Sequence, residues 1–152
     1  MNRTSDQTTK TIFLADDDPD DRMLFEEALK SVDQTTQVTM AHDGEHLMDI
    51  LVKEVLPHPF LIFLDLNMPR KNGLECLKEI KKSERLKNIP VVVFSTSCQK
   101  DAINQMYEHG ASYYICKPDS FQKLIKSIDK IFSLNWNDRP VKPQMKDFII
   151  AF

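Results

Sequence analysis

The sequence predicts an α/β fold, an open and doubly wound parallel sheet with helices on both faces. Short apolar runs alternate with longer stretches of helical period five times over. The loops between them are short, so each return to a parallel strand needs a helix as its crossover. Five such units are too few for an eightfold barrel, which leaves the open sheet.

The first strand begins at Thr11 and carries Ile12-Phe13-Leu14-Ala15. Asp18-Pro19 followed by Asp20-Asp21 is a helix start, with a capping Asp, Pro at the first helical position and acids beside the positive end of the helix dipole. Leu24, Phe25, Ala28, Leu29 and Val32 mark that helix's buried face. Gln37–Ala41 alternates as a strand does, and Leu47, Ile50, Leu51 and Val55 make the second helix, stopped by Pro57 and Pro59. The third strand is Phe60–Leu64, and Asn72-Gly73 turns the chain into a helix with Leu74, Leu77 and Ile80.

Ile89-Pro90 closes that region, and Val91-Val92-Val93-Phe94 is an unbroken apolar run, as expected of a strand covered on both faces. Ile103, Met106 and Tyr107 place the fourth helix, with His109-Gly110 as its stop. The fifth strand spans about Ser112 to Cys116. Phe121, Leu124, Ile125, Ile128, Ile131 and Phe132 then give the clearest helical period in the chain. Residues 1–10 read as a flexible lead-in, 11–133 as one domain, and 134–152 as a Pro-containing tail with an apolar end. Trp136 and the Phe148–Phe152 end are expected to fold back or meet a partner, because a bare apolar end is costly.

With 152 residues the chain can bury a core without staples. Twenty basic against 23 acidic residues leave a net charge of −3, which argues against a general nucleic-acid or membrane-surface binder. The densest basic stretch, Arg70–Lys87, reads as a solvated helix face. No run nears the ~18 apolar residues of a membrane span, so the expected location is the cytoplasm. Cys76, Cys98 and Cys116 are odd in number, far apart in sequence and in segments that read as buried or half-buried, so they read as reduced, small apolar residues.

The chemistry lies at the strand ends, where an open α/β sheet places its site. Asp16-Asp17-Asp18 follows the first strand, Asp65 the third, Ser95 the fourth and Lys117 the fifth. An EF-hand frame can be drawn through Asp16, Asp18, Asp20 and Glu27, but Asp21 stands where that loop needs Gly, and a strand precedes it instead of a helix. His42 and His46 could share a helix face, yet no third ligand stands near them. With only three Gly, no glycine-rich phosphate loop is present.

These residues resemble the receiver domain of two-component response regulators, over about residues 11–133. Asp16-Asp17, Asp65, Ser95 and Lys117-Pro118 match the family's motif, and the spacings of 30 from Asp65 to Ser95 and 22 from Ser95 to Lys117 agree with it. Leu64-Asp65-Leu66-Asn67-Met68-Pro69-Arg70-Lys71-Asn72-Gly73 looks most like the small single-domain regulators that partner phytochrome-type and hybrid kinases. The resemblance implies a flavodoxin-like sheet of five strands in order 2-1-3-4-5 and a phosphoryl group accepted on Asp65 from a histidine kinase or phosphotransfer protein. It implies Mg²⁺, or Mn²⁺ in its place, on Asp17, Asp65 and the backbone carbonyl of Asn67, with Asp16 acting through water.

Lys117 would neutralise phosphoryl oxygens, Ser95 and Tyr114 would form the switch, and Asn67 and Ser97 would tune dephosphorylation. The face from Thr96 to Tyr107 with Tyr114 is the expected output surface, and a homodimer is one assembly it would allow. Such a chain is a stoichiometric phosphoacceptor, not a turnover enzyme, although it promotes its own phosphorylation and dephosphorylation. Ser95 stands where Thr is commoner and Thr96 where a smaller residue is frequent. Two other readings compete. One is a phosphate-independent binding module, against which the intact acidic set argues. The other is an aspartyl-phosphate phosphohydrolase, which usually needs an acid where Asn67 stands.

Overall fold

The computed structural model describes residues 10–53, 59–134, 136 and 143–152. In chain order the elements are β1 (Thr11–Ala15), α1 (Pro19–Val32), β2 (Gln37–Ala41), α2 (Gly44–Lys53), β3 (Leu61–Leu64), α3 (Gly73–Lys82), β4 (Val91–Ser95), α4 (Lys100–Glu108), β5 (Tyr113–Cys116), α5 (Phe121–Ser133), α6 (Met145–Phe148) and β6 (Ile149–Ile150). The strands form one parallel sheet in the order β2-β1-β3-β4-β5-β6. The predicted order of the first five stands. The sheet has six strands instead of five, because the tail supplies β6 beside β5.

Each apolar strand divides its side chains between two cores, as a period of two requires. Phe13, Ala15, Ile62, Leu64, Val91, Val93 and Tyr114 face α2, α3 and α4 in one cluster. Ile12, Leu14, Leu61, Phe63, Val92, Phe94 and Ile115 face α1 and α5 in the other. Burial on both faces explains why these strands read as unbroken apolar runs. In α1 the buried stripe is Phe25, Ala28 and Leu29, whereas Leu24 is 42% exposed, off the stripe that meets α5.

The caps follow local chemistry. Asp18 accepts from the backbone N–H groups of Asp20 (2.9 Å) and Asp21 (3.4 Å), with Pro19 opening the helix. Asn72 does more than turn the chain. Its side chain accepts from the Glu75 N–H, and Glu75 accepts from the Asn72 N–H, a reciprocal cap for α3. Gly73 fits tightly beneath β3, because a Cβ there would lie 2.4 Å from the Asp65 carbonyl oxygen. The lead-in at 1–9 and the helix-ending residues Val55 and Pro57 lie outside the described residues.

The tail folds back onto the domain. Trp136 donates from its indole N–H to the Ile131 carbonyl and packs on Phe60 and Tyr113. Phe148, fully buried, has its ring 5.0 Å from Tyr107 and 6.1 Å from Tyr114, and the Tyr107 hydroxyl donates to the Pro143 carbonyl. The surface expected to serve as output therefore carries the chain's own C-terminal segment. The cysteine expectation also needs correction. Cys98 and Cys116, far apart in sequence, meet as a disulfide, and only Cys76 is a free, buried thiol. Sequence separation hid this pairing, which the β4–β5 neighbourhood creates.

Candidate functional site

Adjacent strands of a parallel sheet end together, so residues one step past β1, β3 and β5 converge. The ladder fixes them: the Asp16 N–H donates to the Ala41 carbonyl, Asp65 to Ala15, and Lys117 to Ser95, at 2.8–3.1 Å. Lys117 reaches across the gap. Its ammonium lies 2.8 Å from Asp16 Oδ2, 2.8 Å from Asp21 Oδ2 and 3.3 Å from Asp65 Oδ2. It also sits 5.3 Å above the centre of the Phe94 ring, a face that favours a cation.

Burial and charge pull the titrations in opposite directions. Burial raises the carboxyls of Asp16 and Asp65 above the usual 3.8, against the lowering effect of the Lys117 ammonium. The nearby Asp16 charge pushes Asp65 further up, and the Asn67 backbone amide acts weakly in the other direction. For Lys117, burial alone would lower the value, but the bonds to Asp16 and Asp21 and the charges of Asp16 and Asp65 together drive it upward. The ammonium is thus charged across the whole neutral range. The two buried carboxyls are poised to gain from a further positive charge.

Asp17 completes the acidic set. Carboxylate oxygens of Asp16, Asp17 and Asp65 lie within 4.8 Å of one another, the grouping of this kind found among the described residues. Asp17 is exposed, whereas Asp16 is fully buried and Asp65 nearly so. An all-oxygen set open on one side suits a hard divalent cation that keeps several waters. Asp16 Oδ1 additionally accepts from the Asp18 N–H at 3.0 Å, and its carbonyl accepts from Arg22 at 2.7 Å.

The hydroxyl side is equally ordered. Ser95 is fully buried at the end of β4, and its Oγ accepts from the Ser97 N–H at 3.1 Å. The Tyr114 hydroxyl donates to the Ser97 carbonyl at 2.5 Å, and burial raises its ionisation above the usual 10.0. Ser95, Ser97 and Tyr114 thus form one connected group beside the acids. Asn67 is exposed, two residues beyond Asp65.

Asp21 is the site residue that the sequence does not single out, because an acid at that place already suits the helix start. It stands 96 positions from Lys117, and the available signal was its place on α1 one turn after Asp17. His42 and His46 stack on each other at 4.1 Å between ring centres and join no larger ligand group among the described residues. In that turn Asp43, buried, accepts from the His46 N–H and pairs with Arg70, whose φ of 68° is left-handed.

Comparison with known proteins agrees with this geometry. Residues 12–129 match the family model described as the response regulator receiver domain. The chain is 38% identical over 128 residues to response regulator Rcp1 of Synechocystis sp., covering 82% of this chain and 87% of that one. It is 34% identical over 134 residues to a probable methanogenesis regulatory protein, FilR2, of Methanothrix harundinacea, covering 85% and 86%. Among solved structures, the Mn²⁺-bound form of Rcp1 superposes with a TM-score of 0.74 at 35% identity, covering 89% of this chain and 99% of that one. The phosphorylated cyanobacterial phytochrome response regulator RcpA superposes with a TM-score of 0.78 at 36% identity, covering 90% and 100%.

Proposed function

The chain belongs to the response regulator receiver family, and from that premise we propose that Asp65 accepts a phosphoryl group from a histidine kinase or phosphotransfer protein. The convergence of Asp16, Asp17, Asp65 and Lys117 carries this reading. A carboxylate and a phosphoryl donor repel one another, so the transfer is chiefly a matter of positioning and charge neutralisation. A bound Mg²⁺ would supply the missing positive charge, held by Asp17, Asp65 and the Asn67 carbonyl, with Asp16 orienting a coordinated water. The similarity to a relative described as Mn²⁺-bound fits the same donor set.

The chain's own groups divide the remaining work. The buried ladder presents the Asp65 carboxylate at a fixed place. Lys117 is held between Asp16 and Asp21 and can follow the transferred group's oxygens without leaving both partners. Once attached, a dianionic acyl phosphate offers new acceptors beside Ser95. A hydroxyl turning toward it gives up the Ser97 N–H, and Ser97 in turn holds Tyr114. The modification therefore biases one connected group, which is how a local charge becomes a change of surface for a protein partner. Asn67 and Ser97 would set how fast water removes the group.

Intact-protein mass after incubation with acetyl phosphate and Mg²⁺ tests the reading. One added phosphoryl group is expected, absent from Asp65→Ala and from a chelated sample. Its absence from the folded wild-type chain at early times would favour a binding module that works without phosphate. Rapid release of many equivalents of phosphate per chain, with little adduct accumulating on Asp65, would favour a phosphohydrolase.

A further inference from the structure

Cys98 and Cys116 occupy positions that the phosphoacceptor reading leaves unused. Cys98 lies in the β4–α4 loop, next to Ser97, and Cys116 ends β5 immediately before Lys117. Their Cα atoms are 5.7 Å apart and the two sulfurs are joined, a separation that a disulfide spans without moving the backbone. The anchors differ in kind. Cys116 is fixed in the ladder opposite Ser95, whereas Cys98 stands in a loop outside any strand or helix.

We propose that Cys98 and Cys116 are a reversible oxidation site, taking a hydroperoxide as oxidant and a dithiol as reductant, whose closed form clamps the β4–α4 loop. Three observations support it. Cys98 is exposed and Cys116 half-buried, so a small oxidant reaches the pair. Ser97, held by Ser95 through its N–H and by Tyr114 through its carbonyl, is the residue next to the bridge. Cys76, by contrast, is buried, donates to the Gly44 carbonyl, and has its thiol pushed up to about 12 by burial, so it stays a bystander. Disulfides in reducing compartments are usually transient or sensing, which suits a bridge placed across moving parts.

Closing consumes one peroxide. The Cys98 thiolate attacks one peroxide oxygen, an S–O bond forms, the O–O bond breaks, and the departing oxygen leaves as water once protonated. The Cys116 thiolate then attacks the Cys98 sulfur, forming the S–S bond and expelling the hydroxyl as a second water. Two thiols are oxidised by two electrons, and the peroxide is reduced. A dithiol reopens the bridge by exchange, leaving as its own cyclic disulfide.

The oxidation does not depend on the role proposed for Asp65; its effect on signalling rests on that reading. The full chain, reduced and desalted, is treated with hydrogen peroxide, then unfolded and alkylated for intact mass. Three alkyl groups are expected before peroxide, one after, and three again after dithiothreitol, whereas Cys98→Ser should show two before and after. Three groups after peroxide would overturn the proposal. Hydrogen exchange at residues 96–99, without phosphate, should be about tenfold slower in the oxidised form. Equal exchange would overturn the clamp.

With acetyl phosphate and Mg²⁺, both forms should take up the phosphoryl group and only the reduced form should change exchange in the loop. An equal change in both would also overturn the clamp. If neither form takes up phosphate, the alkylation and phosphate-free exchange results still decide the clamp, and the Asp65 reading is the one that fails.

Discussion

The carboxyl end of the sheet and its β5–β6 border are both fastened by groups distant in sequence, but in opposite currencies. At the carboxyl end three acids, Asp16, Asp21 and Asp65, converge on the single ammonium of Lys117. At the border, Phe148 packs between Tyr107 and Tyr114, and Tyr107 bonds to Pro143. The apolar border stabilises the fold through burial, while the charged end holds carboxyls that burial has pushed upward. Groups kept at such a cost are what the proposed phosphoryl and cation site would use.

Removing the ammonium should break the charged end most severely. Lys117→Met leaves Asp16 and Asp65 buried without their cation, and urea unfolding at pH 7 should show a loss of about 3–5 kcal/mol. A loss below about 1 kcal/mol would mean that water already satisfies these acids, and the contrast would collapse. On the other side, Phe148→Ala should cost about 3 kcal/mol through lost burial and the cavity left behind. Its phosphoryl uptake on Asp65 should stay at the wild-type level, which separates border from site; reduced uptake would join them.

The sign reverses for Asp65. Because Asp65 titrates above 3.8 in the fold, its contribution to stability is present below that pH and lost as pH rises through the raised value. Asp65→Asn should therefore raise the melting temperature at pH 7, by on the order of 1 kcal/mol in free energy. The gain should fade below about pH 3.8. Unchanged stability across that window would show that Lys117 fully compensates the burial. The smallest effect belongs to Asp21→Asn, where the half-open side chain should cost less than about 1 kcal/mol. Lys117 would keep its bonds to Asp16 and Asp65 in that variant.

What was legible in the sequence followed from local rules. Apolar runs gave the strands, the Asp18-Pro19 pair gave the start of α1, and acids at strand ends gave the site, because a parallel sheet aligns its carboxyl ends. Asp21 was hidden by a second legitimate role, since an acid in a first helical turn already has a reason to be there. β6 was hidden by its length. Two residues, Ile149 and Ile150, carry no readable period, and they become a strand only because Tyr114 and Ile115 offer a ladder. The Cys98–Cys116 contact arises in the same way, from a loop after β4 brought beside the end of β5, which no local pattern announces.

The sixth strand also decides which backbone the sheet shows to other molecules on that side. Without it, Tyr113–Cys116 would present a row of unsatisfied amides and carbonyls beside aromatic and β-branched side chains, a template on which a second chain can add itself. A two-residue border offers little to copy. Deleting residues 143–152 should therefore announce itself as concentration-dependent self-association, visible by light scattering at temperatures where the domain is still folded.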